Sequence, residues 1–217
     1  MAEETMEKHN HKKLVIIIFF AVLLLSALVA RFIKIPISEN QEARKYDVSI
    51  EGNFWIGSAK PAITIIEFSD FECPYCKNSA TTLETLRALY PGKLKIVYKD
   101  YIGHNNSYAL ALAARCAGEQ GLFWPIHDEL FFNQENVNVA NFSAQLSAIG
   151  ADQARFDRCY KGEYYKEQIK KDDDEAIALE VSGTPTSFVN SYIVKGDISL
   201  ENWKLIVDKL LETYDTN

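Results

Sequence analysis

The sequence lacks the motifs of most cofactor-dependent enzymes. Its 217 residues contain no glycine-rich phosphate loop, no internal repeat and no low-complexity segment. His104 and His127 do not have the spacing of metal ligands, so we expect neither a metal nor another cofactor and interpret both as structural or solvated. The net charge of −7 argues against nucleic acid as a partner. The 4 cysteines are too few for a small protein built on disulfides, but they are enough for one catalytic pair and one further pair.

The main positive signal is a Cys-x-x-Cys motif that follows a predicted strand. Residues 63–68 are mostly apolar and rich in β-branched side chains, which is typical of a buried strand. Cys73 and Cys76 follow, separated by Pro74 and Tyr75, and the next segment has helical character. Two intervening residues bring both sulfurs into the first helical turn, where free N–H groups and the helix dipole favour the thiolate of the first cysteine. Pro74 suits the first helical position because it has no N–H that needs a partner.

The same motif can also supply half of a structural zinc site. Such a site needs two more ligands, and Cys116 and Cys159 do not form a second Cys-x-x-Cys pair. The spacing therefore favours a redox function over a metal-binding one.

The segments FSDFECPYCKNSA and VSGTPTSFVN together resemble the DsbA-type disulfide oxidoreductases of the thioredoxin superfamily, and the resemblance extends from about Phe54 to the C-terminus. It implies that Cys73 is the nucleophile and Cys76 the resolving thiol. Glu67 lies six residues before Cys73 and matches the buried acidic residue of the superfamily, which implies a proton acceptor for the Cys76 thiol. Pro185 matches the cis-proline that faces the cysteines.

The resemblance also assigns substrate contacts. Beside a cis-proline the backbone of Thr184 can pair with an extended substrate segment, and Pro74 and Tyr75 lie between the cysteines. Two alternatives remain at the level of single residues. Glu67 could lie at a sheet edge with its carboxylate in water, and most X–Pro bonds, taken without context, are trans.

The resemblance implies an α/β thioredoxin fold with an all-helical domain inserted at about residues 104–181. Hydrophobic periodicity and turn residues predict the individual elements. Strands are predicted at residues 63–68, 94–98, 186–189 and 192–194, with a further short strand at 46–50. Helices are predicted at residues 74–89, 107–120, 122–132, 143–149, 152–159, 164–181 and 200–214.

Two local patterns complete the prediction for the domain. The run Asp172-Asp173-Asp174-Glu175 does not match a calcium loop and predicts a solvated helix face. The turn before the last strand is Asn190-Ser191, where the family commonly has Asn-Gly, so its turn type is left open.

Cys116 and Cys159 both fall in the predicted helical block. Two buried free thiols are one possibility, since cysteine packs well as a small apolar side chain. In an oxidising compartment two thiols in one small block tend to pair, and some DsbA-type relatives have such a second bridge. We therefore predict a structural Cys116–Cys159 disulfide.

An uncharged apolar run at residues 14–30 has the length of a short membrane-spanning helix. A cleaved signal peptide is the alternative, but cleavage after Ala30 or Ala27 would place a bulky leucine at the −3 position. Lys12 and Lys13 precede the run and favour a cytoplasmic N-terminus. We expect a membrane-anchored protein whose catalytic domain lies outside the cytoplasm. The expected segments are a tail at 1–13, an anchor at 14–33, a linker at 34–53 and the DsbA-like domain at 54–217.

The predicted function is a thiol:disulfide oxidase that donates the Cys73–Cys76 disulfide to exported folding proteins. A membrane oxidase of the DsbB or vitamin-K-epoxide-reductase type is the expected re-oxidant by resemblance, and the protein is expected to be a monomer. A disulfide reductase or isomerase is the alternative within enzymes. A peptide-binding chaperone module on the same fold is the alternative outside them, although both active-site cysteines are retained.

Overall fold

The computed structural model describes residues 46–137, 142–190 and 192–215. The predicted tail, the anchor and most of the predicted linker lie outside the described residues. None of the helices in the described ranges is long and apolar enough to cross a membrane.

The central layer is a mixed five-stranded sheet with the order β1-β3-β2-β4-β5. Its strands are β1 (Trp55–Gly57), β2 (Ile63–Ser69), β3 (Leu94–Asp100), β4 (Thr186–Val189) and β5 (Tyr192–Lys195). β2 pairs in parallel with β3 and antiparallel with β4, so it occupies the middle of the sheet. A strand covered on both faces needs apolar residues at nearly every position, which explains why most residues of β2 are apolar.

Helices cover both faces of β2. Ile63 and Ile65 face α1 (Pro74–Leu89) and α7 (Leu200–Asp215), whose Trp203 belongs to the same buried cluster. Ile66 and Phe68 face the opposite side, in a separate cluster. Each of these side chains contributes about 1.5–3 kcal/mol by leaving water. Glu67 is on the same face as Ile63 and Ile65 because side chains alternate along a strand.

Five helices lie between β3 and β4, where the helical insertion was predicted. They are α2 (Ser107–Gly118), α3 (Phe123–Phe132), α4 (Phe142–Ala148), α5 (Gln153–Lys161) and α6 (Lys166–Ala178). A short 3-10 turn follows α3 at Gln134–Asn136. The apolar core of this block is continuous with both active-site cysteines, so the Cys-x-x-Cys motif lies where the sheet meets the helices. The predicted α/β class and thioredoxin-type fold are confirmed.

A buried ion-pair network joins α6 to β3. Arg115 of α2 contacts Asp100 and Asp172, with its Nη2 atom 2.6 Å from Asp172 Oδ2. The Nζ atom of Lys99 lies 3.2 Å from Asp172 Oδ1 and also contacts Glu175. The prediction of a solvated helix face was wrong for Asp172, whose side chain is 0% exposed, whereas the Asp174 side chain is 59% exposed. Lys99 of β3 and Arg115 of α2 thus hold α6 against the sheet through its acidic side chains.

The chain before β1 differs from its prediction. No strand forms at residues 46–50, and the first strand is the short edge strand β1, which the sequence analysis missed. The described part of the predicted linker contacts the domain. The ring of Tyr46 packs on Phe188 with centroids 5.0 Å apart, and the N–H of Ser49 donates to Glu175 at 3.0 Å. In the turn between β4 and β5, Asn190 has a positive φ of 53°, and the next residue lies outside the described ranges.

Candidate active site

The Cys-x-x-Cys motif forms the start of α1. Pro74 is the first helical residue, and Cys73 caps the helix with extended backbone angles. The carbonyl of Cys73 accepts from the N–H groups of Cys76 and Lys77, at 3.1 and 3.3 Å. Both sulfurs are therefore in the first turn, beside N–H groups that have no partner within the helix.

The Cys73 thiol is poised to ionise. Its hydrogen bond with the Cys76 thiol is the largest influence on its pKa, and the backbone N–H groups of Tyr75 and Cys76 act in the same direction. Burial opposes them, but the pKa of Cys73 still falls to about 5. At neutral pH this sulfur is a thiolate, which is the form that attacks disulfides and leaves from them most readily.

The Cys76 thiol has the opposite character. It is 0% exposed, and burial raises its pKa far above the ordinary thiol value, with the neighbouring Cys73 as the next cause. The N–H of Asp70 lies 3.5 Å from its sulfur. The reduced site therefore holds one thiolate and one neutral thiol, and the roles of nucleophile for Cys73 and resolving thiol for Cys76 stay predictions.

Glu67 is buried at the centre of the sheet, beneath α1. Ser79 of α1 donates to its Oε2 atom at 2.6 Å, and Ser187 of β4 donates to the same atom at 3.5 Å. Burial raises the pKa of Glu67 to about 7, against the effect of these hydroxyls. Its charge contributes to the raised pKa of Cys76, so the two groups interact. The sheet-edge alternative for Glu67 is excluded by its position on β2. A carboxyl with a pKa near 7 can both give and take a proton at neutral pH.

The Thr184–Pro185 peptide bond, in the loop before β4, is cis. The carbonyl oxygen of Thr184 lies 3.4 Å from the Cys73 sulfur and accepts the thiol hydrogen when Cys73 is protonated. The structure thus places Thr184 beside the nucleophile, although it is more than a hundred residues away in sequence, and Pro185 is the next residue of the same loop.

Two aromatic side chains on the helices next to the cysteines are exposed. Tyr75 is 62% exposed between the cysteines, and Phe132 is 79% exposed at the end of α3. Lys77 donates to the carbonyl of Phe132 at 3.3 Å, and Gln134 donates to the carbonyl of Cys73 at 2.9 Å. These two hydrogen bonds hold the end of α3 and the residues after it beside the start of α1.

A second set of contacts holds the segment before Cys73, and the sequence analysis did not find it. The buried carboxylate of Asp70 accepts from the Gly103 N–H, the Ser107 hydroxyl and the N–H of Glu72, and it contacts His104 Nδ1 at 2.7 Å. The hydrogen bond to Asp70 raises the pKa of His104. The backbone of Asp70 in turn bonds both cysteines. The place of Asp70 directly after a buried strand is a usable sequence signal, whereas its partners Gly103, His104 and Ser107 lie more than thirty residues away.

Among the described residues, no group of three or more His, Cys, Asp or Glu side chains is arranged to hold a metal ion.

Cys116 of α2 and Cys159 of α5 are joined by a disulfide in the structure, and both are buried. The bridge lies in the helical block and connects two helices that pack on each other.

We predict that this bridge forms in the protein from an oxidising compartment and stabilises it. For a separation of 43 residues the loop-entropy model gives about 4 kcal/mol. Thiol counting on a denatured variant that lacks Cys73 and Cys76 is expected to find no free thiols before reduction and two afterwards. Two free thiols before reduction would contradict the prediction.

Comparison with known proteins places the whole described domain in one family. The family model described as thioredoxin matches residues 49–209. BdbD from Bacillus subtilis is 24% identical with a TM-score of 0.68, over 77% of this chain and 97% of its own. A thioredoxin-like oxidoreductase from Silicibacter pomeroyi is 22% identical with a TM-score of 0.67, over 80% and 98%. Wolbachia pipientis alpha-DsbA1 is 17% identical with a TM-score of 0.68, over 78% and 96%. These identities support a shared fold.

Curated relatives of similar sequence are much longer proteins. The Na(+)/H(+) antiporter NhaA 3 of Salinispora tropica is 31% identical over 148 residues, which is 67% of this chain and 22% of the antiporter. NhaA 1 of Mycolicibacterium gilvum is 29% identical over 139 residues, with coverages of 62% and 22%. The chain thus spans about a fifth of the length of these relatives. On the family match and the geometry of its two thiols, the chain belongs to the thioredoxin family, and its fold is that of the DsbA-type thiol:disulfide oxidoreductases.

Proposed function

We propose that this thiol:disulfide oxidoreductase works as an oxidase that donates the Cys73–Cys76 disulfide to other proteins. The observation that carries the proposal is the low pKa of the Cys73 thiol, about 5. A stable thiolate lowers the free energy of the reduced enzyme and so makes its disulfide more oxidising. A reductase needs the opposite, a disulfide form that is stable relative to the reduced form.

The geometry supports a two-step exchange. A substrate thiolate attacks the Cys73 sulfur, the Cys73–Cys76 bond breaks, and its electron pair leaves with the Cys76 sulfur. Because the Cys76 thiolate is disfavoured by burial, it takes a proton from the carboxyl of Glu67. A second substrate thiolate then attacks the substrate sulfur of the mixed disulfide. Cys73 leaves as its stable thiolate, and the substrate carries away the new disulfide.

Substrate contact is assigned to the loop at Thr184 and to the two residues between the cysteines. The backbone of Thr184 can pair with an extended peptide, while Pro74 and Tyr75 offer apolar surface between the two cysteines. Such contacts allow the protein to bind unfolded substrates that differ in amino-acid sequence. A peptide-binding chaperone would use the same surface, but the ionised Cys73 thiol would then have no role.

The test is a comparison of oxidation with reduction. The oxidised protein is expected to form disulfides in reduced, unfolded ribonuclease A and to restore its activity, while it reduces insulin poorly. The Cys73→Ser variant is the control for both reactions. Rapid insulin reduction without ribonuclease oxidation would identify a reductase and end the oxidase proposal.

We further propose that residues 14–30 anchor the protein and that the domain acts outside the cytoplasm. Support comes from the uncharged run and the bulky residues at the −3 positions of both candidate cleavage sites. A membrane oxidase of the DsbB or vitamin-K-epoxide-reductase type would then re-oxidise Cys73 and Cys76. Carbonate extraction of membranes is expected to leave the full-length chain in the pellet. A shortened chain in the soluble fraction would identify a cleaved signal peptide.

A further inference from the structure

Asp70 and His104 form a pair that lies beside the active site but outside the Cys-x-x-Cys motif. The Nδ1 atom of His104 is 2.7 Å from Asp70 Oδ2. The Asp70 side chain is 0% exposed, whereas that of His104 is 47% exposed. The carboxylate is therefore fixed inside the protein, while the imidazole can exchange protons with water.

The backbone of Asp70 connects this pair to both cysteines. Its carbonyl accepts from the Cys73 N–H at 3.0 Å, and its N–H lies 3.5 Å from the Cys76 sulfur. The same residue thus contacts the imidazole with its side chain and the redox motif with its main chain. A change in the charge of His104 acts on the residue that holds the start of the motif.

The loop between β3 and α2 holds the imidazole in this position. The N–H of His104 donates to Ser107 Oγ at 2.9 Å. The Ser107 hydroxyl and the Gly103 N–H donate to Asp70 Oδ2, at 2.7 and 3.1 Å. Ser107 is buried and is the first residue of α2. Hydrogen bonds on both sides of His104 therefore give its ring a defined place next to the segment that precedes Cys73.

Three negatively charged groups act on the imidazole. The hydrogen bond to Asp70 is the main cause that raises the pKa of His104, and the charges of Cys73 and Glu72 act in the same direction against the effect of burial. Glu72 also accepts from the backbone and side-chain amides of Asn106, at 2.5 and 2.8 Å. Both carboxylates are present in either redox state, whereas the Cys73 thiolate exists only when the disulfide is reduced. The environment of His104 therefore differs in charge between the two redox states.

We propose that the pair of Asp70 and His104 tunes the oxidising power of the active-site disulfide, and that protonated His104 favours the Cys73 thiolate. The inference rests on the proposed function, because it concerns the stability of the reduced site. Two glutathione thiols supply the electrons for reduction and become glutathione disulfide. The Cys73–Cys76 bond breaks, one of the two thiol protons goes to Cys76, and the other goes to water. Cys73 remains as the thiolate.

The interaction between the two charges has to be reciprocal. The imidazolium stabilises the thiolate and so makes the disulfide more oxidising. By linkage, the thiolate stabilises the imidazolium by the same free energy. His104 is therefore a positioning residue with an electrostatic effect, and it does not itself react with substrate.

The experiment compares two substitutions of His104 in the full-length protein in an uncharged detergent. His104→Gln keeps a hydrogen-bond donor for Asp70 but removes the charge. His104→Lys is the matched variant, since it keeps a positive charge but removes the imidazole. Circular dichroism checks that both variants fold. Equilibration with reduced and oxidised glutathione gives the equilibrium constant for reduction, and thiolate absorbance gives the pKa of Cys73.

We expect the equilibrium constant for reduction of His104→Gln to fall about threefold or more at about pH 6, because its Cys73 thiolate has lost a favourable charge. A threefold change corresponds to about 14 mV. The pKa of Cys73 is expected to rise in the same variant. His104→Lys is expected to keep the equilibrium constant of the unmodified protein. The difference between the variants is expected to shrink in about 1 M salt, which screens a half-exposed charge.

A second measurement follows His104 itself. The Cε1 proton of the imidazole is titrated by NMR in oxidised and reduced protein labelled with carbon-13 in its histidines. The resonance is assigned by its absence from His104→Gln. We expect the pKa of His104 to be higher in the reduced protein, because the thiolate is present only there.

An identical His104 pKa in the two redox states, or an unchanged equilibrium constant in His104→Gln, would overturn the proposal. An equal loss in His104→Gln and His104→Lys would overturn it as well, because the imidazole would then act through its shape and not its charge. In each case the proposed function stands if Cys73 of the unmodified protein titrates near pH 5. Titration of that thiol at about 8.5 would contradict the proposed function itself.

Discussion

Replacing Cys73 by serine is expected to lower disulfide transfer by about a thousandfold or more, since a hydroxyl cannot replace the thiolate nucleophile at neutral pH. Cys76→Ser is expected to behave differently. Its Cys73 thiolate still attacks disulfides, but the resolving thiol is absent, so mixed disulfides accumulate. Non-reducing electrophoresis with mass spectrometry separates the two outcomes.

The control for both variants removes the other cysteine pair. A Cys116→Ala, Cys159→Ala protein is expected to be less stable but to keep its transfer activity at a temperature where it is folded, because that bridge lies in the helical block. Full activity in Cys73→Ser would end the hypothesis of disulfide transfer through this pair. Mixed disulfides that form on Cys73→Ser instead of Cys76→Ser would reverse the assigned roles.

Removing the charge of Arg115 is expected to have the largest effect on stability. Arg115→Met leaves the buried carboxylates of Asp100 and Asp172 without their guanidinium partner, and breaking a buried ion pair in this way costs about 3–5 kcal/mol. The free energy of unfolding is measured by urea denaturation followed by circular dichroism.

Lys161→Met is the matched control because its partner Asp157 forms an exposed pair one helical turn away. That pair is expected to contribute far less to stability, because water screens an exposed ion pair. Similar losses in the two variants would show that the network around Asp172 does not determine how α6 is held.

The sequence was most informative where one local pattern determines one element. The apolar, β-branched run at 63–68 became the central strand, and the Cys-Pro-Tyr-Cys segment became the first turn of α1. The strand at Trp55–Gly57 was missed because three residues at a sheet edge show little periodicity.

The site was predictable only in part, for a physical reason. Glu67 and Cys76 lie on adjoining elements, and the resemblance in their spacing predicted the interaction between them. The contacts of Asp70 with His104 and Ser107 depend on how the loop after β3 folds back, which no local pattern specifies. The burial of Asp172 likewise depends on cations from two other elements.

The most direct test of the oxidase assignment measures the Cys73 pKa and the reduction potential in one sample. Thiolate absorbance at about 240 nm is expected to show one thiol that titrates near pH 5, while Cys76 stays neutral through the physiological range. In the reduced state the Cys73 thiol has a lower pKa in the folded protein than in the unfolded chain. Its ionisation therefore stabilises the fold increasingly as pH rises from 5 to about 8.5, and this stabilisation is lost as pH falls through 5.

Equilibration with glutathione at a series of pH values gives the potential. Because the reduced site binds one proton per two electrons above pH 5, the potential is expected to fall by about 30 mV per pH unit, and by about 59 mV below pH 5. We predict a value more oxidising than about −200 mV at neutral pH. A Cys73 thiol that titrates at the pKa of a free cysteine, about 8.5, together with a reduction potential of about −270 mV, would contradict the oxidase assignment.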